Sequence, residues 1–239
     1  MTSSGRRPYR APRRDAVRNQ TRQRIRSAAR ELFLLHGYSA TTLVQVGEQA
    51  GVSRRYVQMA FGSKAELLSE VIKVAVAGDD ATVPLASRDS WTAMIDAGGQ
   101  STLTAYAALS TEICGRTAGL LAVAATAAEA DEKLAEMRAS ALHRRHRDCA
   151  TVIGALSADG SLTSGYTPAE AADIFYALTS PETFLVLTRE RGWPPARYEK
   201  WLARTLATTL LDNSRPPGMA QGKQTDWLAD SHGEEGAAS

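Results

Sequence analysis

Cysteine, histidine and aromatic side chains are scarce in this chain, and each scarcity excludes something. Two cysteines, Cys114 and Cys149, cannot build a disulfide framework, which fits a reducing cytoplasm. The four histidines (36, 143, 146 and 232) offer little material for metal or acid–base chemistry. His143, His146 and Cys149 fall at i, i+3 and i+6 of one expected helix, but that spacing drifts round the helix, and Arg144, Arg145 and Arg147 crowd it with positive charge. It reads as a solvated face, and neither a metal nor a cofactor is expected. A glycine-rich phosphate loop, H-E-x-x-H and G-x-S-x-G are all missing, so no enzyme is expected. No apolar run approaches the roughly 18 residues of a membrane span, and no apolar stretch follows the basic N-terminus as in a signal peptide. The reading is a chain without a membrane segment, acting in the cytoplasm.

Acid is nearly lacking from the first 30 residues, which hold ten arginines against Asp15 alone. That segment carries +9, and the rest of the chain −7, behind a formal net charge of +2. A basic head on an acidic body implies a polyanionic partner for the head.

Residues 1–20 mix Ser, Gly, Pro and Arg without apolar periodicity and read as a disordered basic arm; residues 213–239 read as a disordered tail. Between them the patterning is helical, with no Val/Ile/Thr alternation to support a sheet. The expected fold is all-α: an N-terminal three-helix helix-turn-helix domain over 21–77, then a helical body over 78–212. The first helix runs over 21–36, its stripe Ile25, Ala28, Ala29, Leu32 and Phe33 ending at Gly37. Thr41 or Thr42 caps a short second helix, Ser53 a third, and Ser63 a fourth with Glu66 as its capping-box partner. Residues 78–90 break the composition. Further helices are expected near 91–98, 101–114, 117–129, 132–157, 168–191 and 195–211, with Pro181 kinking or interrupting the fifth near Thr179–Ser180.

Residues 42–61, TLVQVGEQAGVSRRYVQMAF, carry the strongest signal. Gly51 permits the positive φ of a tight turn, Val52 plugs the angle between two short helices, and Ser53 caps the second. Arg54, Arg55, Tyr56, Gln58 and Met59 then face outward from a helix that fits a major groove. Arginine pairs bidentately with guanine and glutamine with adenine. Thr42 and Lys64 begin the flanking helices, where phosphates bind. Double-stranded DNA is the partner this arrangement fits.

Residues 21–72, with TRQRIRSAARELFLLHGYSATTL, VGEQAGVSRRYVQMAF and GSKAELL, resemble the DNA-binding domain of the TetR family of regulators. Residues 170–211, with ALTSPETFLVLTRERGWPPARYEKWL, are similar to the C-terminal helices of one branch of it. Gln58 stands where the family commonly has tyrosine, Met59 and Ala60 where an aromatic or histidine is frequent, and Gly47 where alanine is usual. A glycine there is expected to loosen the second helix by about 0.5–1 kcal/mol.

The resemblance implies that the body binds a small-molecule effector and forms a homodimer. Small residues fill 101–129, which permits close helix packing or a cavity; Trp91, Met94, Tyr106, Ile113, Phe175, Thr179 and Phe184 are the candidate pocket residues. Ile174, Leu178 and Leu185, facing Trp201, Leu202 and Thr205 on the last helix, are the candidate dimer surface. The expected function is a sequence-specific, small-molecule-responsive repressor acting as a dimer on operator DNA. The alternative is a dimeric helical small-molecule or protein-binding module that has lost specific DNA binding.

Overall fold

The computed structural model describes residues 11–78 and 85–212. Residues 1–10 of the arm expected over 1–20, the stretch 79–84 and the tail over 213–239 lie outside the described residues. Among those described, the only β pairing is one antiparallel bridge, Leu162 to Leu211; everything else is helix and turn.

Helix α1 (Ala11–Ala40) is interrupted only at Gly37, whose φ of 75° turns the chain. It starts ten residues earlier than the apolar stripe suggested, so residues 11–20 are helical rather than irregular. Helices α2 (Leu43–Ala50), α3 (Arg54–Phe61) and α4 (Lys64–Ala77) follow. Thr42 and Ser63 each build a capping box, with Gln45 and Glu66. Ile25, Phe33, Val46, Val57, Leu67 and Leu68 are fully buried and unite these four helices.

The body comprises α5 (Asp89–Asp96), α6 (Gly99–Ala128), α7 (Glu132–Ala158), α8 (Pro168–Leu178), α9 (Pro181–Leu185) and α10 (Pro195–Leu210). A π-helical turn, Val186–Glu190, continues α9. The two helices expected over 101–129 are one. Gly115 does not break α6, because a single helical glycine costs only about 1 kcal/mol and twelve residues of α6 are buried. Of the kink or interruption expected near Pro181, the structure shows the interruption, with Ser180 capping α9.

Helix α6 packs against α1, α4, α7, α9 and α10. Its first half joins the core of the body through Leu103, Tyr106, Ala107 and Cys114, while Leu120, Ala124 and Ala127 join that of the head. The apolar cluster of the head therefore reaches beyond residue 77, as far as Leu134. Gly119 is where the two meet: a Cβ there would come within 2.9 Å of Leu34. Polar contacts tie the same parts together, since Tyr38 donates to Asp131 (3.1 Å) and Lys133 on α7 reaches Glu66 on α4 (2.8 Å).

Candidate nucleic-acid interface and effector cleft

The turn between α2 and α3 is built from backbone. Gly51 adopts φ 68° and donates to the Glu48 carbonyl at 3.2 Å, and Val52 donates to the Gly47 carbonyl at 2.9 Å. A Cβ on Gly47 would stand 2.7 Å from the Val52 carbonyl oxygen and 3.2 Å from the Arg54 amide. Gly47 therefore does more than loosen α2: in this chain the turn packs so closely on it that a Cβ would require the turn backbone to shift.

Ser53 accepts from the Tyr56 amide at 3.1 Å and starts α3. Val57 and Phe61 point into the core, which leaves Arg54, Arg55, Gln58 and Met59 exposed, Met59 at 75%. No hydrogen bond or ion pair engages the side chains of Arg54, Arg55 or Gln58 among the described residues. Tyr56 is half-buried and packs on the core of the head. Thr42 is exposed and occupied by its capping box with Gln45.

Lys64 is placed differently from the expectation. Its ammonium donates to the carbonyls of Tyr38 (2.8 Å) and Thr41 (2.9 Å) and lies 4.2 Å over the Tyr38 ring. Burial lowers its pKa, opposed by Asp131. Lys64 clasps the end of α1, with its donors spent on carbonyls instead of a phosphate. Three of the ten N-terminal arginines also hold the fold. Arg22 donates to the Ala60 carbonyl (2.6 Å) and covers the Phe61 ring at 4.2 Å, Arg26 lies 3.8 Å from Glu70, and Arg30 donates to the Arg116 carbonyl (2.9 Å). Arg14, Arg18 and Arg24 stay exposed.

A cleft of about 1250 Å³ runs between α4, α6 and α7. Trp91, Tyr106, Ile113 and Thr179 line it, as the sequence suggested, together with Leu109, Cys114 and Leu121. Met94, Phe175 and Phe184 do not. They are 8%, 0% and 6% exposed and belong to the packed core, where the Phe175 ring backs Tyr106 with centroids 4.6 Å apart. Burial pushes the Cys114 thiol up to about 11, so it is a small apolar wall residue.

Arg145 was assigned by the sequence to a solvated face; it turns inward instead. It lines the cleft, donates to the Tyr176 carbonyl and to Thr179 Oγ1 (3.2 Å), and covers the Tyr176 ring at 3.9 Å. The break before Pro181 exposes that carbonyl. His146 faces away and meets Asp173 at 3.0 Å. Among the described residues no cluster of three or more metal-binding side chains occurs, and no helix is long and apolar enough to cross a membrane.

Of the candidate dimer residues, Ile174, Leu178, Leu185, Trp201 and Thr205 keep some exposure. Leu202 is 0% exposed within the core of its own chain and is removed from that surface.

A small helical head presenting an unpaired polar helix is fused to a cleft-bearing helical body, and the head has the form of a helix-turn-helix domain. Residues 25–71 match bacterial regulatory proteins of the tetR family, and the N-terminal domain belongs to that family. It is 44% identical over 57 residues to the HTH-type transcriptional regulator SrpR of Pseudomonas putida, a match covering 24% of this chain and 27% of that protein. It is 42% identical over 57 residues to the uncharacterized HTH-type transcriptional regulator TtgW of the same species, covering 24% and 42%. These matches thus span less than half of either relative.

Solved structures extend the likeness in fold to the body. NalD of Pseudomonas aeruginosa, described as the secondary repressor of the MexAB-OprM multidrug efflux pump, has a TM-score of 0.62 at 22% identity over 82% of this chain and 98% of that one. A regulator from Saccharomonospora viridis in complex with choline has 0.61 at 16% identity, over 81% and 99%. SmeT in its triclosan complex has 0.58 at 18% identity, over 85% and 98%.

Proposed function

We propose that this chain is a cytoplasmic, dimeric transcription regulator that binds operator DNA through α3 and is controlled by a small molecule in the α4–α6–α7 cleft. The observation that carries the reading is α3 itself, with Arg54, Arg55 and Gln58 exposed and unengaged among the described residues on a helix fixed by its cap, its turn and Arg22. Such groups read base edges, while phosphates and neighbouring helix ends position the domain.

The cleft supplies the control. Helix α4 forms one wall and belongs to the head, whereas α7 forms another and is tied to α4 and α1 through Lys133–Glu66 and Tyr38–Asp131. A ligand that spreads α4 from α7 favours one head spacing over another, and its differential affinity for the two states sets the response. Structural neighbours carrying choline and triclosan, and one named as a repressor, support small-molecule repression as the reading for this chain. A gel shift against DNA upstream of its own gene, with and without candidate effectors, tests it. A shift relieved by a compound that also raises the melting temperature fits the proposal; no shift on any upstream duplex favours the binding module without specific DNA recognition.

A further inference from the structure

Arg145 is a half-buried cation that no carboxylate meets among the described residues. A guanidinium has five donors; those engaged here go to a carbonyl and a hydroxyl, and the Tyr176 ring covers one face, so dipoles and a ring quadrupole meet the charge but no anion does. It lines the cleft together with Tyr106, Cys114 and Thr179. Three acids line the cleft, and none of them pairs with Arg145: Glu70 is held by Arg22 and Arg26. Asp148 sits in the field of Arg147 and Arg144, and Glu182 is exposed at the rim. Lys73 and Arg138 add further positive charge to the lining. In the same lining the Tyr106 hydroxyl lies 3.9 Å from Cys149 Sγ and within reach of the Thr179 side chain, and a bound acid group would compete with the weak sulfur contact for its proton. Helix α6 adds an apolar strip to the lining through Leu109, Ile113 and Leu121.

An unpaired charge in a low-dielectric site gains most from an opposite charge brought to it. We propose that the cleft takes an amphiphilic monoanion, its carboxylate or comparable acid head on Arg145 and Tyr106 and its apolar tail along Leu109, Ile113 and Leu121. This deepens the reading of the cleft as the effector site and rests on it.

The test uses the full chain and three probes of one tail length: octanoate, octanol and octyltrimethylammonium. Dissociation constants are measured by calorimetry near neutral pH, where the carboxylate is ionised. Octanoate is expected to bind at least about tenfold tighter than octanol, the worth of one charge-assisted hydrogen bond, with the ammonium weakest. Arg145→Gln should abolish the preference while leaving octanol affinity in place, and Arg145→Lys should restore part of it. Equal binding of octanoate and octanol by the unaltered chain, tightest binding of the ammonium, or no binding of any probe overturns the proposal. So does a folded Arg145→Gln variant that keeps the preference, and the probe series on the unaltered chain decides the matter even if that variant does not fold. Octanoate binding at Arg145 with DNA affinity unchanged supports the anion site and counts against the cleft as the control site, which separates the two failures.

Discussion

At the residue scale two positions separate packing from reading. Gly47→Ala puts a methyl 2.7 Å from the Val52 carbonyl oxygen, and backbone must move to admit it. The expected cost is about 1–3 kcal/mol of stability, as for overpacking elsewhere, measured by urea denaturation. Gly154→Ala is the control: its Cβ meets nothing within 4 Å, and the helix gains about 0.5–1 kcal/mol. Arg55→Ala should leave stability unchanged and remove about 1–3 kcal/mol of binding from the specific site alone. Equal loss on unrelated duplexes would instead make Arg55 a phosphate ligand. The exposed face of α3 was legible because helical period and caps determine which side chains point out. The contacts of Lys64 and Gly47 could not be read from the sequence because they depend on backbone brought close from elsewhere: the end of α1 for one, the turn after α2 for the other.

At the scale of elements, caps and breaks were readable and mergers were not. Thr42, Ser53 and Ser63 start their helices where the sequence placed them, since each satisfies amides locally. That α1 begins at Ala11 and that α6 passes Gly115 without a break are tertiary outcomes, and the inward turn of Arg145 is of the same kind. The seam between α4 and α7 yields a pH prediction. The Lys133 ammonium and the Ser63 amide hold the Glu66 carboxyl down, to about 2 from its ordinary 4.5. A carboxyl depressed on folding stabilises above its unfolded value and loses that contribution as pH falls. Acid unfolding should therefore show a component between pH 4.5 and about 2, reduced in Glu66→Gln. An identical acid profile for both chains would mean that the pair contributes nothing at this seam.

At the scale of the molecule, specific regulation requires two chains and one coupling. Cutting the chain before α10 cannot test the dimer, because Tyr198, Leu202, Leu206 and Leu210 are 0% exposed in the core of the body and their loss would unfold it. Val186, 44% exposed beside half-buried Leu185, is the better probe. Val186→Glu should lower the solution mass from dimer to monomer without changing helicity, while an unaltered mass would place the interface elsewhere. A monomer would also lose DNA affinity, since one head reads too few base pairs. The central claim, that α3 reads a specific sequence for a paired molecule, is tested most directly by selecting duplexes from a randomised pool with the full chain. The expected result is enrichment of a two-fold symmetric site whose half-sites lie about one helical turn apart, bound about a thousandfold or more above random DNA. A pool that stays random after repeated selection, or enriches only by charge at low salt, would contradict it.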